Sequence, residues 1–169
     1  MDNIAISITD ALMNWGIHPQ IITVLISMIP LLELRGSILV VGGFLGLPFV
    51  PTYITAVIGN MVPRPFILLF IESIFKWMKS KEKLKKIPLK LEEKTMKRSS
   101  QIEKYGYFGL LLFVGIPLPG TGAWTGALLA VLMGLNKKKS LLYIFLGVLL
   151  AGLIMTIVAA LIRFGLIAA

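Results

Sequence analysis

The chain contains no cysteine and a single histidine in 169 residues. Disulfide cross-links and thiolate chemistry are therefore excluded. Charge is also scarce: 15% of residues are Asp, Glu, Lys or Arg, against about 25% in an average soluble domain. Alternating polar and apolar positions are missing, which points to helices and away from a membrane β-barrel. One histidine, no cysteine and one deep carboxylate make no nucleophile–base pair and no metal set. An enzyme such as a lipid phosphatase is not expected, nor is a metal or cofactor. Apolar residues are abundant, at 57% of the chain with a mean hydropathy of +0.89. Four runs carry almost no charge: Gln20–Pro30, Ser37–Pro63, Gly106–Asn136 and Leu141–Ile162. A spanning helix needs about 20 apolar residues, so the expectation is an all-α integral membrane protein forming one membrane domain over 1–169.

The start, MDNIAISITDALMNW, has neither a basic leader region nor a cleavage site, and is not expected to be a signal peptide. Ile4, Ile8, Leu12 and Trp15 repeat at helical intervals. They predict an amphipathic surface helix over 1–17, capped by Asp2 or Asn3. The net charge of +9 is concentrated. Residues 76–104 hold eleven Lys/Arg and four Glu, and Lys137–Lys139 form a second cluster. Nucleic-acid binding is one reading of such clusters. The orientation rule for short basic loops explains them better. The linker 76–104 is thus expected in the cytoplasm, facing anionic lipid headgroups, with the protein multi-pass in the cell membrane and no nucleic-acid partner.

If both basic clusters lie on one side, residues 105–136 must leave and return on that side. The break Pro117-Leu118-Pro119-Gly120-Thr121-Gly122 sits near their middle. Proline removes a donor and glycine permits the bend. Each arm, at 1.5 Å per residue, reaches only part way across. A re-entrant hairpin is expected there, with its tip away from lipid. The other half matches it. Pro30 is followed by Gly46 and Gly59, and Pro117 by Gly134 and Gly147, an offset of 87–88 residues. Long helices are expected at about Val50–Ile74 and Ser140–Ile162. The two halves, 21–75 and 105–165, then read as an inverted repeat of re-entrant helical hairpin plus transmembrane helix, the architecture of secondary transporters.

The polar residues in these breaks are the candidate site. Glu33 and Arg35 lie in the first break, between Pro30 and Gly36. A charge at bilayer depth costs about 2.5–3.5 kcal/mol. The pair either neutralises itself or binds an anion through Arg35 while Glu33 exchanges a proton. Arg64, between Pro63 and Pro65, either marks a helix end near the interface or supplies a second cation to the cavity. Proline on both sides predicts a kink there. Glu72 is expected to pair with Lys76 at i+4. The second break has no charge. It offers freed N–H groups at Gly120, Thr121 and Gly122 and the hydroxyls of Thr121 and Thr125, with a helix N-terminus aimed at the tip. Trp124 is either a lid or packing. His18, before Pro19, reads as a loop residue.

The motifs PLLELRGS and GIPLPGTGAWTG resemble those of the small multidrug export protein family, over nearly the whole chain. That family resembles, more distantly, the DedA/VTT superfamily of lipid transporters and scramblases. The resemblance implies two opposed re-entrant hairpins, with Glu33 and Arg35 on the first and Pro117, Pro119 and Gly120 in the second. DedA proteins carry an arginine after the second Pro-Gly, and this chain has none there. The function expected is translocation of an anionic lipid or amphiphile of polyprenyl-phosphate or phospholipid type, with proton coupling at Glu33. Proton-coupled export of small molecules or drugs is the alternative, although Arg35 would repel a cationic cargo. A purely structural scaffold is a further alternative. The bound groups expected at Glu33, Arg35, Arg64, Gly120, Thr121, Gly122 and Trp124 are parts of the substrate. Two short hairpins and two long helices barely enclose a cavity, so a homodimer is expected.

Overall fold

The computed structural model describes residue 14 and residues 16–82, 84–97, 99–118 and 120–166. The amphipathic helix expected over 1–17 falls almost wholly outside these residues, as does Pro119. Among the described residues the chain is helical and contains no strand. Two apolar stretches, Phe49–Lys79 and Lys137–Arg163, are long enough to cross a membrane. At 1.5 Å rise, their 31 and 27 residues exceed the roughly 30 Å hydrocarbon layer. Both start earlier and end later than hydropathy alone marked, because Lys76 and Lys79 in the first, and Lys137–Lys139 and Arg163 in the second, continue the helix beyond the apolar run.

The chain divides into two compact units, 1–63 with 148–169, and 64–147. Both divisions fall inside the long stretches. Each unit thus takes half of Phe49–Lys79, half of Lys137–Arg163 and one of the two broken segments.

In the first unit, helix α1 (Pro19–Met28) opens under His18, whose Nδ1 accepts from the Gln20 N–H at 3.3 Å. His18 is therefore a helix cap. Ile29 turns extended (φ −70°, ψ 127°) and ends the helix. Helix α2 (Glu33–Ser37) continues as a π-helical segment, Ile38–Phe44. This second arm folds back along α1. Ser27 and Ser37, both buried, share a hydroxyl hydrogen bond of 2.6 Å, and Ile22, Ile26, Leu32 and Val40 form a common apolar core. A buried hydrogen bond of this kind contributes about 1 kcal/mol. Helix α3 (Phe49–Met61) packs on α1 through Gly59. A Cβ there would stand 2.4 Å from the Val24 carbonyl oxygen, so only glycine permits the approach. The end of Lys137–Arg163 completes the unit. Tyr53 Oη donates to Leu149 O at 3.1 Å. The Arg163 guanidinium donates to Leu47 O at 3.2 Å and lies 5.3 Å from the Phe49 ring centre.

The second unit begins with helix α4 (Arg64–Lys79), which follows the expected interruption at Val62–Pro63. Helix α5 (Lys86–Met96) is tied to it by Lys79–Glu92 at 2.7 Å. Glu72 pairs with Lys76 at 2.8 Å, as its i+4 spacing predicts. Helix α6 (Ser100–Gly115) is bent at Gly106, where φ is +58°. Its apolar half ends at Ile116, again extended (φ −83°, ψ 118°). Helix α7 (Ala123–Leu132) packs back on α6 through Gly126, where a Cβ would meet Val114 at 2.6 Å. Helix α8 (Lys137–Arg163) opens under Asn136, whose side chain accepts from the Lys138 and Lys139 N–H groups at 3.1 Å. It crosses α6 at Gly147, where a Cβ would stand 2.8 Å from Leu111 O.

Candidate functional site

In the first unit the break spans Ile29 to Leu32. The Ile29 carbonyl accepts from both Leu32 N–H (3.2 Å) and Glu33 N–H (2.9 Å), closing a tight turn around Pro30. The turn forces Glu33 to a φ of +51°, the only positive φ outside glycine among the described residues. An L-residue in that region costs about 1–2 kcal/mol. Glu33 is nonetheless buried, with 6% of its surface exposed. Strain of this kind persists where the surroundings over-determine it, commonly at functional sites. Arg35 lies close enough for the Glu33 charge to act on it. Gly36 N–H donates to Leu32 O at 2.9 Å, and a Cβ at Gly36 would press on Leu32 Cβ at 3.1 Å. The first unit therefore brings Glu33 and Arg35 together on one short helix directly after the break.

In the second unit Arg64 heads its helix, and the side chain is fully buried, the largest such side chain described. Its guanidinium carbon lies 5.1 Å from the centre of the Trp124 ring, a cation–π contact. Arg64 thus marks a helix end, and its side chain is buried in protein. Trp124 packs against a charge, which goes beyond simple apolar packing. The break itself is closed by its own polar atoms. Thr121 Oγ donates to Leu118 O (2.8 Å) and Ile116 O (3.0 Å), and Leu118 N–H donates to Ile116 O (2.8 Å). The Thr121 hydroxyl proton is thus spent on the loop. Gly120 and Gly122 take φ of +78° and +140°, values open to glycine and rare for other residues. Gly122 stands at the N-cap of the following helix, Ala123–Leu132. The second unit brings together Arg64, Trp124 and the Gly120–Gly122 turn.

Two features escaped the sequence reading. Asn60 is fully buried in an apolar helix. Its signal, an amide one turn before Arg64 in an otherwise apolar run, was readable. The Ser27–Ser37 bond joins the arms of the first break. Two serines ten residues apart in apolar arms give no such signal until the turn between them is known. Among the described residues, no cluster of His, Cys, Asp or Glu could hold a metal ion.

An all-helical chain with two membrane-length apolar stretches, and with charged side chains buried at breaks in its helices, is an integral membrane protein. The family model described as "Putative small multi-drug export protein" matches residues 33–154, and the chain belongs to that family of membrane transporters. The match begins at Glu33 and takes in Arg35, Arg64 and Gly120–Trp124. Neither the curated proteins nor the solved structures offer a match to the chain.

Proposed function

We propose that this family member translocates an anionic amphiphile, of polyprenyl-phosphate or phospholipid type, and that Glu33 couples the movement to protons. One observation carries the reading: Arg64 is fully buried at a helix break and held against Trp124. Helix formation does not account for it, because a cation in the first turn opposes the helix dipole. A planar guanidinium fixed by an aromatic face is suited to grip phosphate or carboxylate through two parallel hydrogen bonds. In the first unit, Arg35 and Glu33 supply further anion- and proton-handling groups. In the second unit, Gly120, Thr121, Gly122 and Trp124 join Arg64 as proposed substrate-binding residues.

The re-entrant, inverted arrangement belongs to the same proposal. Its support is a run of paired features: extended Ile29 and Ile116, left-handed Gly46 (φ +68°) and Gly134 (φ +66°), helix starts at Phe49 and Lys137, and close-packed Gly59 and Gly147. The apolar helices Pro19–Met28 and Ala123–Leu132 have ten residues each, or about 15 Å, half the hydrocarbon thickness. In this reading repeats 21–75 and 105–165 insert from opposite faces, the linker 76–104 lies in the cytoplasm against anionic headgroups, and the protein works in the cell membrane as a homodimer. It performs no covalent chemistry and binds no nucleic acid.

The test is a liposome assay of labelled anionic-lipid flipping, wild type against Arg35→Ala. The reading requires at least a tenfold slower rate in the variant; equal rates would remove Arg35 from the mechanism. The family description favours a second reading, proton-coupled export of small molecules or drugs. Under that reading Glu33→Gln abolishes drug resistance in cells while anionic-lipid flipping in wild-type liposomes stays at background.

A further inference from the structure

The second unit holds a cavity of about 220 Å³ that the proposed transport site does not use. Its floor is apolar, built from Phe75, Leu128 and Val131, and its rim carries two carboxylates and two ammonium groups: Glu72, Lys76, Lys79 and Glu92. The four are arranged as two ion pairs, Lys76–Glu72 at 2.8 Å and Lys79–Glu92 at 2.7 Å. We infer that this cavity is a seat for a zwitterionic phospholipid of the surrounding bilayer, one whose headgroup carries a phosphate and a primary ammonium.

Three observations lead there. First, size. Drug-sized ligands occupy about 300–1,000 Å³; the cavity's 220 Å³ suits a headgroup and the first part of an acyl chain. Second, charge. A site for a purely anionic headgroup would present lysines alone, whereas this rim is balanced. A phosphate between Lys76 and Lys79, one turn apart on the same helix, leaves the Glu72 and Glu92 carboxylates for an ammonium with three N–H donors. The outer pair does not prevent the exchange. Glu72–Lys76 is more than half exposed on both sides, and exposed pairs contribute only about 0–1 kcal/mol. Third, position. The cavity lies where Phe49–Lys79 leaves its apolar run, next to Trp77, which is 58% exposed. An exposed Trp followed by lysines is the pattern of a membrane–water interface. An acyl chain entering over Phe75 and Leu128 would meet lipid at that level. The inference concerns this interfacial seat and does not depend on what the chain transports.

The experiment uses the full chain, purified in mild detergent and then incorporated into nanodiscs of phosphatidylethanolamine, phosphatidylcholine and phosphatidylglycerol in equal parts. Native mass spectrometry reads the lipid retained after release, and a photoactivatable phosphatidylethanolamine maps the contact. The expected result is at least tenfold enrichment of phosphatidylethanolamine over both others, with adducts in 71–79 and 128–132. Leu128→Trp, which fills the floor, should remove the enrichment and leave the helical circular dichroism unchanged. Lys79→Met/Glu92→Met, which keeps net charge but empties half the rim, should lower retention as well. Equal retention of the three lipids, adducts elsewhere, or undiminished enrichment in a folded Leu128→Trp would overturn the inference. Selective loss of phosphatidylcholine alone, with phosphatidylglycerol bound as well as phosphatidylethanolamine, would also overturn it, since the site would then read phosphate without ammonium.

Discussion

At the scale of single residues, the account rests on side chains held where folding alone would not put them. Glu33 is the clearest: an ionisable side chain that is buried and in the left-handed region. The strain, about 1–2 kcal/mol, exceeds the extra unfolded-state freedom of glycine, about 0.4–1 kcal/mol. Glu33→Gly is therefore expected to melt above Glu33→Gln, which loses the charge but keeps the strain. Thermal unfolding in detergent reads the difference, on the order of 2 °C for a chain of this size. A lower melting point for Glu33→Gly would mean that the turn does not resist the residue. Arg64 makes a second prediction. A lysine keeps the positive charge but loses the planar fork and much of the ring contact. Arg64→Lys should slow anionic-lipid flipping at least tenfold, and Trp124→Phe should be milder than Trp124→Ala. Lipid-flip rates unchanged in Arg64→Lys would reduce the arginine to a source of charge. Sequence made Glu33, Arg35 and Arg64 conspicuous because charge is rare in these runs. It could not tell that Arg64 is buried, since a proline-flanked arginine suits a helix end as well as a cavity.

At the scale of elements, glycine sets the distances. Gly59 and Gly147 let a long helix rest on the backbone of a short one, with a hypothetical Cβ 2.4 Å and 2.8 Å from carbonyl oxygens. A backbone atom cannot step aside as a side-chain tip can. Gly59→Ala is expected to cost about 3 kcal/mol, the upper range for overpacking, read as a fall in melting temperature or in the yield of monodisperse protein. Gly134 is different: nothing stands within 4 Å, and only its φ of +66° constrains it. Asparagine tolerates that conformation, so Gly134→Asn should stay within about 1 kcal/mol of wild type. If the two substitutions behave alike, close packing is not what Gly59 provides. The positions of these glycines were legible from their matched spacing in the two halves. Their two distinct jobs were not, because spacing is blind to what lies across the interface. The same limit hid the Ser27–Ser37 bond.

At the scale of the whole molecule, each long apolar stretch gives one half to each compact unit. The family match runs from Glu33 through the second break and takes in Arg35 and Arg64. Hydropathy revealed the membrane class early, since no soluble fold leaves so much apolar surface to cover. Hydropathy does not reveal depth or sidedness, and the central proposal concerns both: that two broken segments enter from opposite faces and each carry their break to the middle of the bilayer. The absence of cysteine makes the claim accessible, because single cysteines can be introduced one at a time. Spin labels at Leu31 and at Leu118, in the two breaks, should lie within about 5 Å of the midplane of a layer roughly 30 Å thick by depth-dependent relaxation. Cysteines at Phe44 and Leu135, beyond the second arms, should react with a membrane-impermeant reagent from opposite sides. A label at headgroup depth in either break, or reaction of both outer cysteines from the same side, would contradict the account.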